Sequence, residues 1–118
     1  MINFKYKEKP FEKRKNESRS LNDKYPNSCP IICEIMNSSK TYIELKKHKY
    51  LVPYDLTLGH FIYILRKYIE LNAEQALMIF TADNSFHNVA KTIAEINKEH
   101  KDEDGFLYFV ICRENAFG

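Results

Sequence analysis

The sequence predicts one α+β domain in which two strands, a crossing helix and two more strands follow an N-terminal helix. Three observations support this prediction: a helical apolar repeat after Thr57, short apolar runs on both sides of it, and a polar N-terminal stretch that ends at Tyr25-Pro26. At 118 residues, 44% hydrophobic and 29% charged, the chain fits a globular protein with a single core.

The first 25 residues predict a helical arm. Pro10 suits the first turn of a helix, because its missing N–H would have no partner there. Pro26 ends the helix, since a residue that precedes proline is held out of the α region. The residues whose spacing places them on one face are Phe11, Ser18, Leu21 and Tyr25.

Two strands and the clearest helix come next. Residues 30–36, rich in β-branched side chains, predict a strand, and residues 37–42 predict a turn. Residues 49–53 ("KYLVP") predict a second strand, which lies at a sheet edge or ends at Pro53, because proline cannot donate to a ladder. Thr57 is a suitable N-cap for a helix whose apolar face comprises Leu58, Phe61, Ile62, Leu65 and Ile69.

The remaining residues predict a buried strand at 76–80, a loop, a short helix at 92–100 and a long apolar strand at 106–112. Because the last run is apolar throughout, we expect it at the centre of the sheet with both faces covered. The order ββαββ with a short extra helix is that of a ubiquitin-like β-grasp, preceded by an N-terminal helical arm. We expect bounds of 1–26 for the arm, 27–112 for the core and 113–118 for a C-terminal conjugation tail.

The sequence ends on Gly118, after a polar tail that follows the last apolar strand. Glycine has no Cβ, so it can pass through a narrow channel where a side chain would clash, and its carboxyl carbon is open to attack. A hydrophobic strand, a short tail and a C-terminal glycine together are typical of a ubiquitin-like modifier.

Several classes of protein are disfavoured by composition. No apolar run approaches the length of a membrane span, and the N-terminal residues are too charged for a signal peptide. Three cysteines favour a reducing cytosol over a disulfide scaffold. The Cys29/Cys33 pair has no second pair to complete a zinc site, and no phosphate loop or triad motif is present. We therefore expect no metal, no cofactor and no enzymatic activity.

Basic residues crowd residues 5–19 and 46–49, although the net charge is only +2. Such clusters attract acidic peptides, anionic membrane or nucleic acid, or simply form a solvated face. We expect no nucleic-acid partner.

Blocks spread over nearly the whole chain are similar to one family. They are "FEKRK" at 11–15, "KYP" at 24–26, "PIICE" at 30–34, "KYLVP" with "DLT" from Lys49, and "EDGFLY" at 103–108. The chain thereby resembles the GABARAP-type autophagy modifiers, relatives of ubiquitin that become attached to phosphatidylethanolamine. Two departures are a loop at 81–91 without proline and Ser28, where many relatives have Arg.

The resemblance implies that activating and conjugating enzymes of the autophagy pathway join Gly118 to a lipid amine, with Phe117 as a recognition element. It also implies a cysteine protease for processing or delipidation, cargo receptors as partners and a role in autophagosome formation. The expected location is the cytoplasm, with a lipidated pool on autophagosomal or other organelle membranes.

The resemblance further implies two pockets beside the edge strand for an aromatic-x-x-aliphatic peptide, with Lys47 and Lys49 contacting its acidic flanks. Pocket one, for the aromatic residue, comprises Glu17, Leu21, Pro30, Ile32, Lys49, Leu51 and Phe106. Pocket two, for the aliphatic residue, comprises Tyr50, Val52, Pro53, Leu56, Phe61, Ile64 and Leu65. We expect Ile32, Phe61 and Leu65 to pack in the core in any case.

Two alternative functions remain open. The first is a modifier that is conjugated to a protein lysine instead of a lipid. The second is a non-covalent adaptor whose basic arm binds tubulin or anionic membrane, with Gly118 incidental.

Overall fold

The computed structural model describes residues 4–36, 44–69 and 76–113. A 3₁₀ turn at Lys5–Glu8 opens the described chain. The regular elements that follow are α1 (Phe11–Lys24), β1 (Ser28–Ile35), β2 (Lys49–Pro53), α2 (Leu58–Leu65, extended by a 3₁₀ turn at Arg66–Tyr68), β3 (Leu77–Thr81), α3 (Ile93–His100) and β4 (Leu107–Arg113).

In the described part of the chain, four strands form one mixed sheet in the order β2-β1-β4-β3. The inner strands β1 and β4 are parallel, with Ile31 opposite Leu107, whereas β2 and β3 pair antiparallel to their neighbours. The predicted ββαββ order is confirmed. The central position of the last strand and the edge position of the second strand are confirmed as well.

The two faces of the sheet carry separate apolar cores. Along β4, Leu107, Phe109 and Ile111 enter the larger core, which α2 and α3 cover with residues such as Phe61 and Ile96. The alternate residues of β4 enter a smaller core on the other face, together with Phe4, Ile32, Phe80, Phe106 and the half-buried Tyr6 and Leu21. Both faces of β4 are thus covered, which explains its unbroken apolar run.

Two helices, α2 and α3, begin at threonine N-caps. The Thr57 hydroxyl accepts a hydrogen bond from the backbone N–H of His60 at 3.2 Å, as predicted for the N-cap of α2. Thr92 begins α3 with a capping box: its hydroxyl accepts from the N–H of Glu95, and the Glu95 carboxylate accepts from the N–H of Thr92.

Helix α1 is attached to the core through a buried polar cluster at the turn before β4. Asp104 is fully buried and accepts hydrogen bonds from Arg14 Nη1 at 2.7 Å, from the Tyr108 hydroxyl at 2.5 Å and from the Phe106 N–H at 2.9 Å. The buried Ser18 hydroxyl donates to the Asp104 carbonyl. Burial and the hydrogen bond to the Asp104 carboxylate raise the pKa of Tyr108, so its hydroxyl stays a donor.

Some predicted bounds and burials differ from the structure. The first 25 residues are not one helix, because the 3₁₀ turn and α1 are separated at Pro10, the N-cap of α1. Phe11 and Tyr25 are exposed, since the face of α1 that reaches the core centres on Ser18 and Leu21. The strand expected at 30–36 begins and ends earlier, at Ser28–Ile35.

The strand expected to be buried at 76–80 is buried only in part. Strand β3 runs from Leu77 to Thr81 at the second edge of the sheet, so Leu77 and Met78 are half-buried, whereas Ile79 and Phe80 are buried as expected. The turn expected at 37–42 lies outside the described residues. Within the described ranges, no helix is long and apolar enough to cross a bilayer.

Candidate functional site

The outer edge of β2 carries backbone groups that have no partner among the described residues. The Cys33 N–H bonds the His48 carbonyl and the Tyr54 N–H bonds the Asn27 carbonyl. Hydrogen-bonded and non-hydrogen-bonded pairs alternate in an antiparallel ladder, so Tyr50 and Val52 also face β1 with their backbone groups. Lys49 and Leu51 therefore direct their N–H and C=O groups away from the sheet, where no other described strand lies.

Proline occupies two positions at this edge without breaking the ladder. The backbone nitrogen of Pro53, like those of Lys49 and Leu51, faces away from β1. Its missing N–H therefore removes no bond to β1. Pro30 lies opposite Leu51 in a non-hydrogen-bonded pair, one residue before the ladder between β1 and β4 begins at Ile31. The edge thus offers donors at Lys49 and Leu51 but none at Pro53.

Side chains of β2 alternate between the two faces of the sheet. Lys49, Leu51 and Pro53 are partly or fully exposed, whereas Tyr50 and Val52 are buried in the larger core. Because Lys49 and Leu51 lie opposite Ile32 and Pro30, these four residues share the face that α1 covers. The predicted pockets therefore lie on opposite faces of one edge strand.

The residues predicted for pocket one lie on the α1 face. Ile32 and Phe106 are buried there, and Leu21 is half-buried beside them in the smaller core. Leu51 is 37% exposed on the same face. The Lys49 ammonium forms an ion pair with the Glu17 carboxylate, which connects β2 to α1 across the rim.

Pocket two lies on the α2 face, and most of its predicted residues are core residues. Four are buried, and solvent reaches only the remaining three, so the buried four form the floor of any groove there. The buried residues are Tyr50, Val52, Phe61 and Leu65, and the accessible ones are Pro53, Leu56 and Ile64. The expectation that Ile32, Phe61 and Leu65 pack in the core is confirmed.

Lys47 and Lys49, the two predicted basic contacts, lie on opposite faces of the sheet. The Lys47 ammonium lies 5.0 Å from the ring centre of Tyr50 and 5.4 Å from that of Tyr68, beside pocket two. Lys49 lies beside pocket one. Burial raises the pKa of Tyr50, whose hydroxyl donates to the Lys47 carbonyl at 2.7 Å. The two cations thus flank the edge on opposite faces, within reach of acidic residues before and after a bound peptide.

One residue of this region, Tyr6, is not among the predicted pocket residues. Its ring lies edge-on to Phe106, with centres 5.2 Å apart, and the Lys49 ammonium lies 5.3 Å from the ring centre. Residues 4–9 ("FKYKEK") carry no local signal for this position, because Tyr6 reaches Phe106 only where the 3₁₀ turn rests on β1.

A polar cluster at the opposite edge of the sheet connects the loop after β3 to α3. His87 Nε2 lies 3.1 Å from the Thr81 hydroxyl, and the rings of His87 and His100 are 4.7 Å apart. Asp83 lies 3.3 Å from His100 Nδ1. Burial, together with the charges of His100 and Lys91, lowers the pKa of His87.

Candidate chemistry beyond docking is limited. In the ranges given above, no group of three or more His, Cys, Asp or Glu side chains could hold a metal ion. Cys29, Cys33 and Cys112 are buried, and burial raises the pKa of each thiol, which makes them poor nucleophiles. Phe117 and Gly118 lie outside the described residues, so their predicted roles stay predictions.

The chain matches known proteins over nearly its whole length. The family described as "Autophagy protein Atg8 ubiquitin like" matches residues 13–118. Autophagy-related protein 8 of Neosartorya fischeri and that of Candida glabrata are each 47% identical over 111 residues, covering 94% of this chain and 92% of the relative.

Solved structures agree with these matches. Trypanosoma brucei ATG8 superposes with a TM-score of 0.87 at 39% identity, covering 96% of this chain and 97% of its own. Plasmodium falciparum Atg8, solved in complex with a peptide of P. falciparum Atg3, has a TM-score of 0.79 at 27% identity and covers 93% and 95%. With its β-grasp core and helical arm, the chain belongs to the Atg8 family of ubiquitin-like autophagy proteins.

Proposed function

We propose that this protein is a lipid-conjugated docking module. Its Gly118 carboxyl becomes joined to phosphatidylethanolamine, and the outer edge of β2 binds aromatic-x-x-aliphatic peptides of cargo receptors. The observation that carries the proposal is the outward-facing backbone at Lys49 and Leu51, between an apolar surface on the α1 face and another on the α2 face, in a member of the Atg8 family.

An extended peptide can add to this edge as a fifth strand. Its backbone would bond the free N–H and C=O groups of Lys49 and Leu51, and its alternate side chains would point to opposite faces. An aromatic residue and an aliphatic residue three positions later therefore reach pocket one and pocket two respectively. Two anchors and a few backbone bonds correspond to micromolar affinity, about −8 kcal/mol.

Charge favours acidic flanks on such a peptide. Lys47 and Lys49 bracket the edge, while Glu17 neutralises Lys49 in the free protein. A ligand carboxylate would replace Glu17 as the partner of Lys49. This exchange raises the association rate more than the affinity, and it weakens as salt is added.

We also propose that the conjugating enzyme binds the outer edge of β2 through a peptide segment. The peptide complex of P. falciparum Atg8 contains an Atg3 segment, and this chain shares that fold. We infer that an Atg3-type enzyme also docks here and, together with an activating enzyme, transfers Gly118 to the ethanolamine amine, with Phe117 as a recognition residue. A cysteine protease that trims or releases the tail completes the proposed set of partners.

Lipid attachment changes where the domain resides. Each buried CH₂ contributes about 0.8 kcal/mol, so one acyl chain binds a bilayer only marginally, whereas two chains anchor a small domain stably. The protein performs no catalysis in this scheme. It presents one carboxylate to the enzymes and one strand edge to its ligands, and the lipidated pool marks autophagosomal or other organelle membranes.

The test is reconstitution with the activating and conjugating enzymes of the same organism, ATP and liposomes that contain phosphatidylethanolamine. We expect mass spectrometry to find the phospholipid on the peptide that ends in Gly118. Liposomes without phosphatidylethanolamine are the control for the lipid. The variant Gly118→Ala should fold like the parent but remain unconjugated.

Two other results would contradict the proposal and identify a different function. An isopeptide bond between Gly118 and a protein lysine would identify a protein-conjugated modifier. Salt-sensitive retention on anionic liposomes or tubulin, without any covalent adduct and unchanged in a chain lacking Gly118, would identify a non-covalent adaptor.

A further inference from the structure

Residues 44–48 and 66–68 meet beside the start of β2 and form a basic surface. The Lys46 N–H bonds the Tyr68 carbonyl at 3.3 Å, and the Lys47 ammonium lies 5.4 Å from the Tyr68 ring centre. These two segments carry four Lys or Arg side chains and one carboxylate, that of Glu44, and so a net charge of +3 with histidine neutral, whereas the whole chain has +2. We call this surface the basic end; its cations are Lys46, Lys47, Arg66 and Lys67.

The basic end lies at the end of the sheet where β4 finishes. The Cys33 N–H bonds the His48 carbonyl, and Cys33 lies opposite Phe109 in the parallel pair of β1 and β4. Because β2 runs antiparallel to both of these strands, the residues before His48 lie at the same end as the residues after Phe109. Strand β4 reaches Arg113 there, opposite Leu77 at the start of β3. The C-terminal residues therefore leave the sheet on the side of the domain that carries the basic end.

Carboxylates accompany the cations at the opposite end of the sheet. The turn before β4 has three consecutive acids at 102–104, of which Glu103 is exposed. Asp83 lies at the same end, directly after β3. Lys101 lines a cleft together with Asp83, Glu103 and two further acids, Glu99 and Asp102. Positive charge is thus balanced locally at this end and in excess at the basic end.

We propose that the basic end faces an anionic lipid surface once Gly118 is joined to a phospholipid. This inference rests on the proposed lipid attachment, and it adds the orientation of the domain and the class of lipid that the domain contacts, an anionic headgroup. Five residues follow Arg113 up to Gly118 and span at most about 18 Å. Attachment therefore keeps this side of the sheet within about two Debye lengths of the headgroups at physiological ionic strength. A lipid surface is favoured over a protein partner because the attachment point lies on the same side as the excess charge.

Charge can select this orientation because attachment has already brought the domain to the surface, so that contact becomes an intramolecular event. Near an anionic leaflet, each Lys or Arg favours contact by about fivefold, and the four cations of the basic end act together. The acids at 102–104 then point away from the bilayer. The strands run outward from the lipid, which leaves the outer edge of β2 accessible from the side to a docking peptide.

The test maps which lysines lie against the bilayer. The full chain is conjugated to liposomes of phosphatidylethanolamine and phosphatidylcholine, with or without about 30% phosphatidylserine, and is acetylated briefly with an N-hydroxysuccinimide ester. Mass spectrometry follows Lys46 and Lys67 at the basic end and Lys98 and Lys101 at the other end, all of them exposed in the free domain. The double variant Arg66→Gln/Lys67→Gln removes two cations from the basic end. Its matched control, Lys98→Gln/Lys101→Gln, removes two cations from the other end.

We expect phosphatidylserine to slow acetylation of Lys46 and Lys67 by about threefold or more, and about 0.5 M sodium chloride to restore it. Lys98 and Lys101 should react equally on both kinds of liposome. Protection of Lys46 should weaken in Arg66→Gln/Lys67→Gln and persist in the control. Equal acetylation of the parent on both liposomes, or protection centred on Lys98 and Lys101, overturns the orientation while the lipid attachment stands. Absence of any conjugate overturns the lipid attachment and the orientation with it.

Discussion

The guanidinium of Arg14 on α1 lies 2.7 Å from the carboxylate of Asp104, a residue with no exposed surface at the turn before β4. Only about 11% of the Arg14 side chain is exposed, so the pair is largely removed from water. The same carboxylate also accepts from Tyr108 and from the backbone of Phe106, and these bonds offset the cost of burying a charge. The helical arm is thereby held to the central strand.

Removing the cation should destabilise the protein strongly. We expect Arg14→Leu to lower the free energy of unfolding by about 3–5 kcal/mol, because Asp104 would remain buried without its charge partner. Urea denaturation followed by circular dichroism measures the change. Arg19→Leu, at an exposed position of the same helix, is the control and should change stability by about 0.5 kcal/mol or less. A loss below about 1 kcal/mol for Arg14→Leu would contradict the role given to the pair.

Gly105 should not tolerate a side chain. It has a φ of +94°, and a Cβ at this position would collide with the Ser18 hydroxyl. We expect Gly105→Ala to lower the free energy of unfolding by about 2 kcal/mol or more. Gly59→Ala is the control, since its Cβ would meet Val89 at an ordinary 3.4 Å and alanine favours the helix. Equal stabilities of the two variants would disprove this account.

Leu51 should be required for peptide binding and dispensable for folding. It is 37% exposed on the outer edge of β2, so Leu51→Asp should change stability by no more than about 1 kcal/mol. A carboxylate at the wall of pocket one would cost about 2 kcal/mol or more of binding free energy. Calorimetric titration with an aromatic-x-x-aliphatic peptide tests this. Val89→Asp, exposed elsewhere, should bind like the parent, and parental affinity of Leu51→Asp would exclude the pocket.

Stability should decrease on mild acidification through His87. Its folded pKa lies below the usual value of 6.5, so the unfolded chain binds the proton more readily. The contribution of His87 is complete above about pH 6.5 and is lost as the pH falls through the folded pKa. His87→Gln should therefore show a shallower loss of unfolding free energy between pH 7 and 5. If the free energy of unfolding depended on pH with the same slope in both proteins, His87 would not be the source of the acid sensitivity.

Periodic patterns predicted the sheet and its helices well. Three predictions are confirmed. Capping rules identified Thr57 as an N-cap, and Pro53 indicated that residues 49–53 lie at an edge of the sheet. The unbroken apolar run indicated that the last strand is central. These signals are local, since each depends on residues within one or two turns of chain. The composition of pocket one was inferred from resemblance, and the structure places its residues on one face of the sheet.

Long-range polar contacts could not be predicted. Nothing near Arg14 in the sequence indicates Asp104, because the turn before β4 is brought to α1 only when the sheet has formed. The exposed position of Phe11 and the half-buried start of β3 at Leu77 and Met78 have the same origin: which side of an element meets the core depends on its partners. Tyr6 was missed for this reason too, since its position depends on where the 3₁₀ turn rests on β1.

The parallel pairing of β1 with β4 has a consequence for biosynthesis. Ile31 lies far from Leu107 along the chain, so the two innermost strands cannot join until β4 itself has been synthesised. A product that terminates early lacks the strand on which both apolar layers rest. Such fragments would be recognised by proteases as unfolded, and only chains translated through β4 would survive to serve the cell.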